Sequence, residues 1–166
     1  MSTLFELSQA VRMRRTDMGF TQSSVAKLSG LSRTTINQIE NGTIQDLSIK
    51  RATRLVDVLG LKMNVSTGHV SGVSSKNTAL QKAAQTAGIS YKNAIAPEML
   101  RKLFLGEEIP VKFQPHVRAV LEEGPISLLA SVVEQLHVEN GIERRVVWAQ
   151  MRNMARELQS YREVWL

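Results

Sequence analysis

The sequence predicts a mainly α protein in two parts: an N-terminal unit of four or five short helices and an all-α C-terminal domain. Three observations predict it. Within the first 60 residues, short apolar stretches of helical period are opened by Thr or Ser and closed by Gly. Residues 66–78 contain nine Gly, Ser, Thr or Asn and read as a linker. Beyond it, apolar residues return at helical steps, culminating in Val147, Met151, Met154, Leu158, Tyr161 and Trp165. The expected boundaries are 1–65 for the first domain, 66–77 for the linker and 78–166 for the second domain.

Composition narrows the function classes. The 166 residues are 43% hydrophobic and 22% charged, enough for a buried core in one or two compact units. The 21 basic and 15 acidic residues leave a net charge of +6, which favours an anionic partner, nucleic acid first. Residues 1–70 hold +4 of that excess. The absence of cysteine excludes disulfides, thiol nucleophiles and Cys-based metal sites, and suits a reducing cytoplasm. The longest strongly apolar uncharged stretch, 124–133, is about half of what a membrane-spanning helix needs. The start of the chain lacks the features of a secretion signal, so a cytoplasmic protein without a membrane partner is expected.

Taken in order, Leu4, Leu7, Val11 and Met18 make the apolar face of a first helix ended by Gly19. Thr21 caps a helix stopped by Gly30, Ser32 caps one stopped by Gly42, and Ser48 caps a fourth stopped by Gly60. Residues 61–65, LKMNV, then alternate apolar and polar, which suits one short strand. Such a strand has no partner within its domain. It either pairs across a dimer or is simply an extended exit into the linker.

Residues 21–42 have the spacing of a helix-turn-helix. Val25 and Ala26 face the next helix, and the small Ala26 permits a close crossing. Gly30 supplies the freedom the turn needs, Leu31 plugs the corner, and Ile36 and Ile39 bury the inner face of the second helix. Periodicity then points Arg33, Thr34, Asn37, Gln38 and Asn41 outward. These are a guanidinium able to fork onto guanine and amides able to pair with adenine, set on a helix that could enter a major groove. A plain helical hairpin with a solvated polar face would show the same periodicity.

The segment resembles the Xre family, which includes the Cro and phage-repressor DNA-binding domains. The likeness covers about residues 4–60 and rests on TQ at the start of the second helix, VA-x-x-SG-x-S at the turn and I-x-x-IENG at the end of the third. It implies a lambda-repressor-like domain that binds double-stranded DNA. Arg33, Thr34 and Gln38, with Asn37, would read bases. Gln22 would touch backbone phosphate and buttress the reading helix. Thr35 and Asn41 would hold phosphates, and Arg15 would pair with Glu40 to tie the first helix to the third. The segment TIQDL after the motif lacks the basic residues often found there, and Lys50 or Arg51 would substitute. Residues 61–65 also look like the strand of HipB-type antitoxins. That likeness implies a homodimeric repressor of its own operon that binds a toxin through its C-terminal domain. The competing expectation keeps the DNA-binding head on a stand-alone or phage-type repressor whose C-terminal domain oligomerises or senses a ligand. A third keeps the fold but makes it a protein-interaction adaptor that no longer binds DNA.

In the second domain, Pro97, Pro110, Pro115 and Pro125 divide the helices. Residues 83–94 align without a gap on 25–36, but Pro97 falls where Ile39 stands in the first copy, so a structural hairpin is expected there rather than a second reading head. The heptad seam is buried within the domain by default. A sharper reading makes Tyr161 and Trp165 anchors for a partner. No catalytic or cofactor motif appears: His69, His116 and His137 are far apart, and the adjacent pairs Glu107 and Glu108, and Glu122 and Glu123, read as solvated acids. No enzyme activity, cofactor or metal is expected.

Overall fold

A computed structural model describes residues 3–63, 78–88 and 94–165. The elements are α1 (Thr3–Asp17), α2 (Gln22–Ser29), α3 (Arg33–Glu40), α4 (Ile49–Val58), α5 (Ala79–Gly88), α6 (Pro97–Phe104), α7 (Gln114–Glu123), α8 (Ile126–Asn140) and α9 (Arg144–Glu157). Single 3-10 turns at Val111–Phe113 and Glu163–Trp165 complete them, and no strand occurs among the described residues. The fold is mainly α, as expected.

The caps act as their chemistry dictates. The side chains of Thr21, Ser32 and Ser48 accept hydrogen bonds from the backbone N–H groups of Ser24, Thr35 and Arg51. In α1 the apolar face begins later than the spacing suggests, because Leu4 is exposed while Val11 and Met18 are buried.

Residues 61–63 carry no regular structure within the single chain, and Asn64 and Val65 of the strand expected at 61–65 lie outside the described residues. Gly60 takes φ +62°, and the Leu61 N–H closes the end of α4 on the Val56 carbonyl at 2.9 Å. That donor is therefore spent on a helix cap. The expected linker, 66–77, also lies outside the described residues.

One apolar core runs from Val25, Ile36, Ile39 and Leu55 in the head to Leu100, Leu121, Leu136 and Trp148 in the rest of the chain. In the second part α5 packs against α6, α7 and α8, and α9 lies on α8. The two parts touch where α9 meets α1 and where α4 meets α8. At the first contact Arg152 donates to the Met18 carbonyl and lies 5.7 Å from the centre of the Phe20 ring. At the second, an added Cβ on Gly60 would lie 2.8 Å from the Ile126 carbonyl oxygen, so the backbones approach as only glycine allows.

The periodic seam at the end of the chain is not one helix. α9 stops at Glu157, Gln159 adopts φ +55°, and the Ser160 N–H turns back to the Ala155 carbonyl at 2.8 Å. Val147, Met151 and Met154 are buried, but Tyr161 leaves the surface at 77% exposure. Trp165 returns at 2% exposure to sit 6.3 Å from Trp148, its Nε1 donating to the Leu121 carbonyl at 3.0 Å. Arg162 secures this return by donating through Nη1 to the Leu121 and Gly124 carbonyls at 3.1 and 2.6 Å. Trp165 is therefore core of its own chain and presents no face to a partner.

The internal echo also diverges. α5 covers its first helix, residues 89–93 lie outside the described residues, and 94–96 are non-helical ahead of Pro97. No reading helix is present at 94–96, because the residue before a proline is driven towards extended backbone, as Ala96 is at ψ 142°.

Candidate nucleic-acid interface

Local sequence builds α2 and α3 into a bihelical unit. Gly30 closes α2 at φ +68°, and the Leu31 N–H bonds back to the Ala26 carbonyl at 3.0 Å, so the chain reverses within three residues. Ser32 then restarts the helix: its Oγ accepts the Thr35 N–H at 3.0 Å and shares a hydrogen bond with Thr35 Oγ1 at 2.8 Å. Val25, Ala26, Ile36 and Ile39 are buried between the helices and α1. These four side chains set the rotation of α3 about its own axis.

That rotation exposes Arg33, Thr34, Asn37, Gln38 and Asn41 together. Asn41 Nδ2 donates to Asn37 Oδ1 at 3.1 Å, which leaves the Asn37 amide N–H groups and the Asn41 carbonyl oxygen available to a ligand. Arg33 opens the helix, where the unpaired N–H groups of the first turn add partial positive charge. Thr35 is half-buried with its hydroxyl already on Ser32. Lys50 is exposed in the first turn of α4, as is Arg51 beside it, while Asp46 is exposed in the preceding loop.

Glu40 holds the back of α3. Arg15 grips it with two bonds, Nε to Oε1 at 2.5 Å and Nη2 to Oε2 at 2.9 Å, and Arg15 Nη1 also donates to the Phe20 carbonyl at 2.9 Å. Gln22 Nε2 adds a third bond to Oε2 at 3.0 Å. Burial pushes the Glu40 carboxyl up, but the bonds from Arg15 and Gln22 and the charges of Arg15 and Arg12 outweigh it and hold it below the usual carboxylate range. One buried carboxylate thus joins α1, the start of α2 and the end of α3. It faces inward, away from the exposed side of α3.

Gln22 is half-buried and its amide N–H reaches Glu40. The TQ and IENG motifs identify both residues. Their direct bond is not written in either motif, because it needs the two helices already crossed. The contact of Arg152 with the head, 134 residues from Met18, carries no sequence signal at all.

His116 and His137 stay apart from this surface. His116 is buried beside Phe113 with rings 5.9 Å apart, His137 Nδ1 lies 2.8 Å from the Ile142 carbonyl oxygen, and His69 is outside the described residues. Among the described residues no group of His, Asp or Glu is arranged to hold a metal, and no helix is long and apolar enough to cross a membrane.

Residues 11–65 match the helix-turn-helix family model. No curated protein and no solved structure gives a significant match to the chain. The match covers a third of the chain and supports an Xre-like helix-turn-helix of the Cro and phage-repressor kind in the N-terminal part, and with it a DNA-binding transcription regulator.

Proposed function

We propose that this helix-turn-helix protein is a sequence-specific repressor that binds operator DNA as a homodimer and lays α3 of each protomer in a major groove. The observation that carries the reading is the outward face of α3: five polar side chains exposed together while Ile36 and Ile39, 0% and 1% exposed, fix the helix from behind. Arg33, Thr34, Asn37 and Gln38 read base edges. Gln22, Thr35, Asn41 and Lys50 hold phosphates, which sets register without sequence preference. Two protomers would present their reading helices about one helical turn apart, ~34 Å.

A gel shift on the DNA upstream of the protein's own gene tests this. Affinity should fall steeply with salt, because neutralised phosphates release counterions. Arg33→Ala should lose about 1–3 kcal/mol and relax preference at one base position. Gln22→Ala should weaken all sequences alike. Wild-type binding by Arg33→Ala would remove that side chain from the reading set, and salt-independent or absent binding would favour the adaptor reading.

The finer role of antitoxin, with a toxin held by the C-terminal domain, is tested by co-expression with the neighbouring gene. A stable co-purifying complex supports it. Purification as a lone homodimer supports the stand-alone repressor.

A further inference from the structure

We propose that the cavity between the head and α9 is a binding site for a small phosphorylated metabolite. It encloses about 320 Å³ and is lined by Phe20, Ser24 and Lys27 of the head and by Arg152, Arg156 and Glu163 of the C-terminal part. That volume lies at the lower end of the range for small-molecule sites.

Three cations meet there against one acid. None of Lys27, Arg152 and Arg156 has a carboxylate of the described residues within ion-pair distance. Arg152 is half-buried, held by the Met18 carbonyl and the Phe20 ring. Burial first, and the Arg156 charge second, lower its pKa, and no acidic group acts in the opposite direction. A guanidinium removed from water beside a second positive charge is costly unless an anion supplies the missing partner. Elsewhere Arg15, Arg101 and Arg144 each grip a glutamate at 2.9 Å or less, while Arg162, whose pKa burial also lowers, is held by the Leu121 and Gly124 carbonyls and Arg14 has no ion pair among the described residues.

The phosphate class follows from the donors. A half-buried guanidinium held by the Met18 carbonyl, with an exposed ammonium and a second, exposed guanidinium, matches an anion with three acceptor oxygens and nearly two negative charges. Ser24, whose hydroxyl shares a hydrogen bond with that of Thr21 at 2.8 Å, also lines the cavity. A ligand there touches α2 and α9 at once and bridges the two parts of the chain.

Isothermal titration calorimetry of the full chain in low-salt buffer, with pyrophosphate, inorganic phosphate and citrate as probes, tests the site without DNA. Pyrophosphate and phosphate should each bind saturably, one per chain, with citrate weaker. The double variant Lys27→Gln/Arg156→Gln should bind pyrophosphate at least tenfold more weakly. Both residues are exposed, so its circular dichroism should match wild type. Lys102→Gln, which removes an exposed cation elsewhere, should bind as wild type. Pyrophosphate should also raise the thermal midpoint of the wild-type chain and not of the double variant. Absence of saturable binding, equal binding by the double variant, or equal loss in Lys102→Gln would each overturn the site. Tighter binding of citrate would overturn the phosphate class. A double variant impaired only on DNA, with no pyrophosphate binding by wild type, would assign these cations to the duplex instead.

Discussion

Glu40→Ala is the sharpest probe of how α3 is held. The substitution removes the acceptor of two Arg15 bonds and of the Gln22 amide, leaving Arg15 with the Phe20 carbonyl alone. Breaking a buried pair from one side costs about 3–5 kcal/mol. The Arg15 side chain keeps 17% exposure and can recruit water, which places the cost at the lower end, about 3 kcal/mol. In a chain of this size that is a fall of roughly 6–12 °C in midpoint. Urea and thermal unfolding followed by circular dichroism measure it. Replacing both partners, as Arg15→Met with Glu40→Leu, should recover to within about 1 kcal/mol of wild type, because no charge is then left buried. The pH dependence has a definite sign. The folded carboxyl lies below its ordinary value of 4.5, so its stabilisation is fully present above that pH and is lost as pH falls through the lowered value. Glu40→Ala should lack this part of the acid sensitivity and keep the part due to Glu134 and Glu139, which their hydrogen bonds from Arg144 and Arg101 also lower. A Glu40→Ala variant within about 0.5 kcal/mol of wild type, or a double variant as weak as the sum of the singles, would refute the reasoning.

Gly60→Ala should destabilise by about 2–4 kcal/mol, combining a left-handed φ with a Cβ driven into the Ile126 backbone, and thermal melting checks it. Trp165→Ala should cost about 3–5 kcal/mol and change the near-ultraviolet circular dichroism of Trp148. Trp165→Phe should cost much less, since Arg162 still donates to the Leu121 carbonyl. Tyr161→Ser should leave stability within about 0.5 kcal/mol because the side chain is 77% exposed. If Tyr161 joins protomers, the same variant should weaken self-association at least tenfold by sedimentation, and unchanged association would remove it from the interface.

The head was legible because its signals are local. A Ser or Thr cap bonds a backbone N–H three residues on, Gly30 allows a left-handed turn, and the spacing of Val25, Ile36 and Ile39 assigns the buried side, all within a few turns of chain. The end of α9 was illegible for the same reason. Gln159 stops the helix in a conformation usually marked by glycine, so the apolar spacing runs on through Tyr161 and Trp165 as though the helix continued.

Read alone, the amino-acid order determined the helices of the head, the turn between α2 and α3, and the polar set that faces away from the core. Tertiary structure decided the rest. It crossed Gln22 onto Glu40, folded Trp165 back onto Trp148, and brought Arg152 to the head to make a cationic cavity. Caps, turns and helical faces depend on neighbours a few residues apart. Those three contacts join groups 17 to 134 residues apart, whose meeting depends on how whole helices pack.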